Sequence, residues 1–170
     1  MEPLLEALVH DNLVALRQIL ASDSVDLSAE VIIGEEYDLD EPDEVPLLTY
    51  AISNGASLEA IEMLVDAGID ITEVNHEGLG VLDIAIKHKR LDILKLCEAR
   101  GIDLLESRRK SGVTPMILAA SFNDMEIVSY LIDKGANVKD RDRYGMSAAD
   151  YAKRMGQTKM LEFLENQAKS

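Results

Sequence analysis

Apolar residues in this chain come in short helical bursts, each stopped by a glycine. Residues 110–142, KSGVTPMILAASFNDMEIVSYLIDKGANVKDRD, hold the clearest unit. Gly112 suits a turn with positive φ. Thr114 is placed to cap a helix through its hydroxyl, with Pro115 at the first helical position, where the missing N–H costs nothing. Met116, Ile117, Ala119 and Ala120 form the apolar side of that short helix, and the small alanines leave room for a neighbouring helix. After a turn at Phe122-Asn-Asp124, Ile127, Val128, Leu131 and Ile132 recur at helical spacing until Gly135 ends the second helix. The unit predicts helix, turn, helix and extended loop. It is too small to bury its own apolar face, so neighbours must stack on it.

The same unit returns along the chain. Gly78, Gly112 and Gly145 lie 34 and 33 residues apart, and Gly68, Gly101 and Gly135 lie 33 and 34 apart. Ala51, Ala85, Ala119 and Ala152 keep the same period. Three markers holding one spacing identify a repeat protein.

These residues resemble the ankyrin-repeat family. Gly112, Thr114-Pro-Met-Ile-Leu-Ala119 and Gly135-Ala-Asn137 match its pattern of Gly, Thr-Pro-Leu-His-x-Ala and Gly-Ala-Asp. Gly145-Met-Ser-Ala-Ala-Asp-Tyr-Ala152 is similar to the terminal variant, Gly78-Leu-Gly-Val-Leu-Asp-Ile-Ala85 loses Thr-Pro, and Val45-Pro-Leu-Leu-Thr-Tyr-Ala51 carries about one extra residue. Thr49, Asp83, Ile117 and Asp150 stand where the family has histidine. The resemblance implies one all-α domain over 1–170. It is an ankyrin-repeat solenoid of about five helix-turn-helix repeats with extended loop or hairpin connections, elongated because each repeat touches only its neighbours. The repeats are expected at 1–27, 45–75, 76–109, 110–142 and 143–168. The first is degenerate, with Leu4, Leu5, Leu8, Leu13, Leu16, Ile19 and Leu20 still giving an amphipathic helix pair. Residues 28–44 are an insertion, which Val31-Ile-Ile33 is placed to anchor at one end.

Charge alters this picture in one place. The chain carries a net charge of −15, of which residues 1–44 hold −12 and residues 45–170 hold −3. The excess centres on GEEYDLDEPDE, where Glu35, Glu36, Asp38, Asp40, Glu41, Asp43 and Glu44 surround Tyr37. Such a field repels nucleic acid and anionic lipid and favours a protein partner with a basic surface. No charge-free run, that from Gly112 to Asn123 included, reaches the ~20 residues a membrane span needs. The start shows no secretory signal, and a single cysteine, Cys97, fits a reducing compartment. A cytoplasmic protein, monomeric when free, is expected.

Candidate chemistry is sparse. Cys97 lies on an apolar helix face, where burial is the expected fate. His10, His76 and His88 fall in three different repeats without paired metal spacing. Counted as a calcium loop from Asp38, the sixth position is Asp43 and the twelfth Thr49, where Gly and Glu are required. No P-loop, GxSxG or HExxH occurs. No catalytic residue, cofactor or metal is expected.

The binding surface carries more. In ankyrin-like stacks, loop tips and the ends of first helices line a concave groove. That implies His76, Glu77, Leu79, Lys87 and His88 in the third repeat, and Lys110, Ser111, Val113, Ser121 and Phe122 in the fourth. In the fifth it implies Arg143, Tyr144, Met146, Arg154 and Met155, with Ser53 and Asn54 from the second. Phe122, Tyr144, Met146 and Met155 form an apolar cluster that a purely solvated surface does not need. Tip charge changes from acidic at Glu73 and Glu77 to basic at Arg108-Arg-Lys110 and at Lys139, Arg141 and Arg143. The expectation is a non-catalytic protein-binding module. The alternative is a small acidic inhibitor or immunity-type protein neutralising a basic toxin or enzyme.

Overall fold

The computed structural model describes residues 1–22, 24–33 and 43–170, which form two compact units, Met1–Ile71 and Thr72–Ser170. In the first unit, α1 (Glu2–Val9) and α2 (Leu13–Leu20) make one helix pair, and α3 (Leu47–Ser53) and α4 (Leu58–Asp66) make a second. The pairs stack like on like, α1 on α3 and α2 on α4. Leu4, Leu8 and Leu16 are buried from the first pair and Leu48, Ile52, Ile61 and Leu64 from the second. Full burial of each such side chain is worth about 1.5–3 kcal/mol. Asn12 caps α2 by accepting from the Ala15 N–H at 3.1 Å, and Ser57 caps α4 by accepting from the Ala60 N–H at 3.2 Å. The Asp11 carboxylate accepts from the Ser57 N–H at 3.0 Å, tying one helix-helix turn to the next.

The insertion leaves and returns at one place. Strand β1 (Val31–Ile33) pairs antiparallel with β2 (Asp43–Val45), in the register Val31 to Val45, Ile32 to Glu44 and Ile33 to Asp43. Val31 is buried, as an anchor should be, while Ile32 points to solvent. Glu35, Glu36, Tyr37, Asp38, Asp40 and Glu41 lie outside the described residues, and Asp43 and Glu44 enter only through their backbone.

The second unit holds three helix pairs: α5 (Val81–Lys87) with α6 (Leu91–Ala99), α7 (Pro115–Ser121) with α8 (Met125–Asp133), and α9 (Ala148–Arg154) with α10 (Thr158–Ala168). The first helices pack in series, α5 on α7 and α7 on α9. Ala85, Ala119, Ala120 and Ala152 are fully buried at these crossings, which explains why the period is so well marked by alanine. Thr114 caps α7 by accepting from the Ile117 N–H at 3.2 Å, with Pro115 next to it, and Asp124 caps α8 in the same way at 3.1 Å. Gly135 follows α8 with φ +102°, as a helix-ending glycine should.

Candidate protein-binding face

The first and third hairpin tips of the second unit are closed by the same kind of side-chain bond, and the middle one is not. At the first, the Asn75 carboxamide oxygen accepts from the N–H groups of Glu77 (2.9 Å) and Leu79 (3.0 Å). At the third, the Asp142 carboxylate accepts from those of Tyr144 (2.9 Å) and Met146 (3.0 Å), and also from the Tyr151 hydroxyl at 2.6 Å. Burial opposes the charge on Asp142, but the bonds from Tyr151, Met146 and Tyr144 outweigh it and hold its carboxyl below the ordinary value. The middle tip has Arg109 at the equivalent position, and its turn leans on Ser107. The Ser107 hydroxyl donates to the Val113 carbonyl at 2.7 Å and accepts from the Arg109 N–H at 3.2 Å. Successive tips are laced together by the Lys110 N–H donating to the Glu77 carbonyl at 3.1 Å and the Arg143 N–H donating to the Ser111 carbonyl at 2.9 Å.

The first helices repeat one exposed face. On α5 it holds Ile84, Lys87 and His88, on α7 Leu118, Ser121 and Phe122, and on α9 Tyr151, Arg154 and Met155. Each trio has the spacing i, i+3, i+4 and so shares one side of its helix. The leading residue is half-buried and the trailing one exposed in all three. Phe122 is 36% exposed, Met155 56% and Tyr144 at the adjoining tip 77%, high values for large apolar groups in a unit whose core is otherwise closed.

Charge separates this face from the second helices. Across α6 and α8, Glu98 meets Lys134 at 2.8 Å and accepts from the Tyr130 hydroxyl at 2.6 Å, and Lys95 and Lys134 flank the Tyr130 ring at 5.5 and 5.3 Å. Those charges are engaged within the stack. Among the described residues Lys87, Arg143 and Arg154 make no ion pair, and the one polar contact of the Arg154 guanidinium is with the Met146 sulfur at 4.0 Å. Glu77, the single acid among the expected groove residues, is occupied by His76 at 3.3 Å and Lys110 at 3.9 Å. Burial first, then Lys87 and Arg90, hold the His88 imidazole below its ordinary value, which favours its neutral form.

Apart from Ser53 and Asn54 at the end of α3 in the first unit, the expected groove residues lie on tips and helix ends of the second unit. His76, Glu77, Lys87, His88, Lys110, Phe122, Arg143, Tyr144, Arg154 and Met155 are exposed. Leu79, Val113, Ser121 and Met146 are half-buried rather than exposed. The Ser121 hydroxyl is engaged on its own helix, donating to the Leu118 carbonyl at 2.7 Å. The sequence reading missed Ile84, Leu118 and Tyr151, the leading row of the face, because an apolar residue at a helical position reads as core. Their signal was the spacing to Lys87, Ser121 and Arg154. Cys97 is fully buried, and burial pushes its thiol up to about 12, far from a nucleophile's range. Among the described residues no three His, Cys, Asp or Glu side chains gather around a common point, and no helix is long and apolar enough to cross a membrane.

Comparison with known families fits this architecture. Residues 48–96 match a family profile described as ankyrin repeats (many copies), and residues 101–169 match one described as ankyrin repeats (3 copies). The chain belongs to the ankyrin-repeat family, and its fold is an all-α repeat solenoid. Among curated proteins it is 32% identical over 99 residues to the transient-receptor-potential-like protein of Drosophila melanogaster, covering 54% of this chain and 9% of that protein. It is 28% identical over 127 residues to glycerophosphocholine phosphodiesterase gde1 of Schizosaccharomyces pombe, covering 75% of this chain and 11% of that protein. It is 30% identical over 96 residues to the B-cell lymphoma 3 protein homolog of Mus musculus, covering 56% and 21%. The chain therefore spans between 9% and 21% of these relatives, and what they share with it is a segment of repeats.

Proposed function

We propose that this chain is a non-catalytic protein-binding module that holds a partner protein against the tips and first-helix face of its second unit. The observation that carries the reading is the exposure of Phe122, Tyr144 and Met155 together with Lys87, Arg143 and Arg154, which make no ion pair among the described residues. Aromatic and arginine side chains are enriched among the anchors at the centre of protein interfaces. The acidic insertion, Glu35 to Glu44, adds a second element. Its field favours a partner with a basic surface and raises the association rate more than the final affinity. That concentration of negative charge also favours a second reading, an acidic cytoplasmic inhibitor that covers a basic toxin or enzyme.

The test is a double variant, Phe122→Ala with Tyr144→Ala, assayed by calorimetry against the partner recovered by affinity capture. Binding should weaken by about 2 kcal/mol or more, with folding stability within about 1 kcal/mol of the parent. Unchanged affinity rejects the face as the binding site, and a large loss of stability assigns Phe122 to the core. In the same assay, replacing the acids of 35–44 by amides should slow association at low salt and matter less at high salt.

A further inference from the structure

The chemistry of the first-helix face narrows the partner beyond the reading above, on which this step rests. The protein as a whole is strongly acidic, yet this face is not. Lys87 on α5 and Arg154 on α9 occupy the same row on either side of Ser121, with no carboxylate paired to them among the described residues. Leu118 and Phe122 of α7 lie between them in the neighbouring rows, and Ile84 and Tyr151 continue the Leu118 row to each side. Packed helices sit about 8–10 Å apart, so the two cations, two helices apart, stand about 16–20 Å from each other. An extended chain advances about 3.3 Å per residue and spans that gap in about five or six residues.

We propose that this face binds an extended acidic segment of the partner, with two carboxylates about five or six residues apart on either side of an apolar side chain. The carboxylates pair with Lys87 and Arg154, and the apolar side chain seats on Leu118 and Phe122. Arg154 offers a planar fork that meets a carboxylate with two hydrogen bonds, and the Met146 sulfur beside it does not compete for charge. A nucleic acid strand is a poorer match. It carries one charge on every nucleotide rather than two set apart around an apolar group, and a chain of net charge −15 repels it. The partner accordingly carries both signs, an acidic segment for this face and enough basic surface to be drawn to a chain of net charge −15.

The experiment uses the whole chain and three fluorescent probes. The first is a short Gly/Ser peptide with a central leucine and two glutamates about six positions apart, the second its lysine counterpart, and the third a single-stranded oligothymidylate. The glutamate peptide should bind below about 1 mM, at least about tenfold tighter than the other two, and more weakly as salt rises. Moving its glutamates next to the leucine should weaken it severalfold. The double variant Lys87→Glu with Arg154→Glu should lose the glutamate peptide about tenfold or more while keeping its helical signal, since both side chains are exposed. Equal or tighter binding of the lysine peptide or the oligonucleotide overturns the acidic assignment, as does absence of binding by the glutamate peptide. If Phe122→Ala with Tyr144→Ala still weakens the recovered partner in those cases, the face remains the binding site and only the chemistry of the ligand is wrong. If that variant has no effect either, the binding-face reading falls with it.

Discussion

The first and third helix pairs of the second unit are built from the same motif and are held in different ways. In the first, Gly78 lies under the next tip, where an added Cβ would collide with the Arg108 carbonyl and sit 2.7 Å from its carbon. In the third, Gly145 has the same positive φ (+74° against +82°) with nothing within 4 Å of the added Cβ. The helix-helix turns differ too. Lys89 takes the left-handed conformation at φ 55° in the first pair, and Gly156 takes it at 69° in the third. The carboxylate at the third position of each first helix also finds a different arginine. Asp83 is 3.6 Å from Arg109 of the following tip, whereas Asp150 is 2.9 Å from Arg141 of its own. Gly78 and Asp83 are thus met by the following repeat, while Gly145 is met by nothing and Asp150 by an arginine of its own tip.

The sharpest way to break this contrast is at the paired glycines. Gly78→Ala combines left-handed strain with a backbone collision and should destabilise the protein by about 3 kcal/mol or more in urea unfolding. Gly145→Ala meets only the strain and should cost about 1–2 kcal/mol. Equal effects would show that the fastening of Gly78 by its neighbour contributes nothing beyond local conformation.

The turn residues offer a smaller effect of opposite sign. Lys89→Gly removes a left-handed strain of about 1–2 kcal/mol, offset in part by the greater flexibility of glycine when unfolded, and should raise stability by about 0.5–1 kcal/mol. Gly156→Lys should lose a similar amount. A destabilised Lys89→Gly variant would mean that the lysine stem contributes packing that its exposure does not reveal.

The same comparison shows how far the sequence could be read. Periodic glycines and alanines, the Thr114 cap and the Phe122-Asn-Asp124 turn are local and covalently spaced, so the helix pairs and the helix-end residues Lys87, His88, Phe122, Arg154 and Met155 were legible. Pairings between distant residues were not. Asp83 with Arg109, Gly78 under Arg108 and Val31 with Val45 depend on where the chain returns in space, which local spacing does not encode. Ile84, Leu118 and Tyr151 were hidden for a different reason. A residue that is half core and half surface has the hydrophobicity of one and the exposure of the other.

The smallest predicted effect tests the two aspartates by pH. Asp83 Oδ2 accepts from the Gly80 N–H at 2.9 Å, yet burial outweighs this bond and Arg109, and raises its carboxyl above the ordinary value. Asp150 accepts from the Ser147 N–H at 2.9 Å and hydroxyl at 3.0 Å, and these bonds, with Arg141, lower its carboxyl against the pull of burial. The signs follow from proton linkage. Folded Asp83 binds its proton more tightly than the unfolded chain does, so its contribution to stability declines as pH rises from the unfolded value through the folded one. Folded Asp150 binds its proton less tightly, so its contribution is present above the unfolded value and is lost as pH falls through the folded one. Asparagine keeps an acceptor at either site and removes the titration. Measured by urea unfolding between about pH 3 and 7, Asp83→Asn should therefore gain on the parent as pH rises, and Asp150→Asn should fall behind it. The slope is the readout, because loss of the arginine partner shifts each variant by a constant that leaves the direction intact. Slopes of the same sign would mean that Arg109, not burial, governs Asp83, and that the two helix pairs are fastened alike after all.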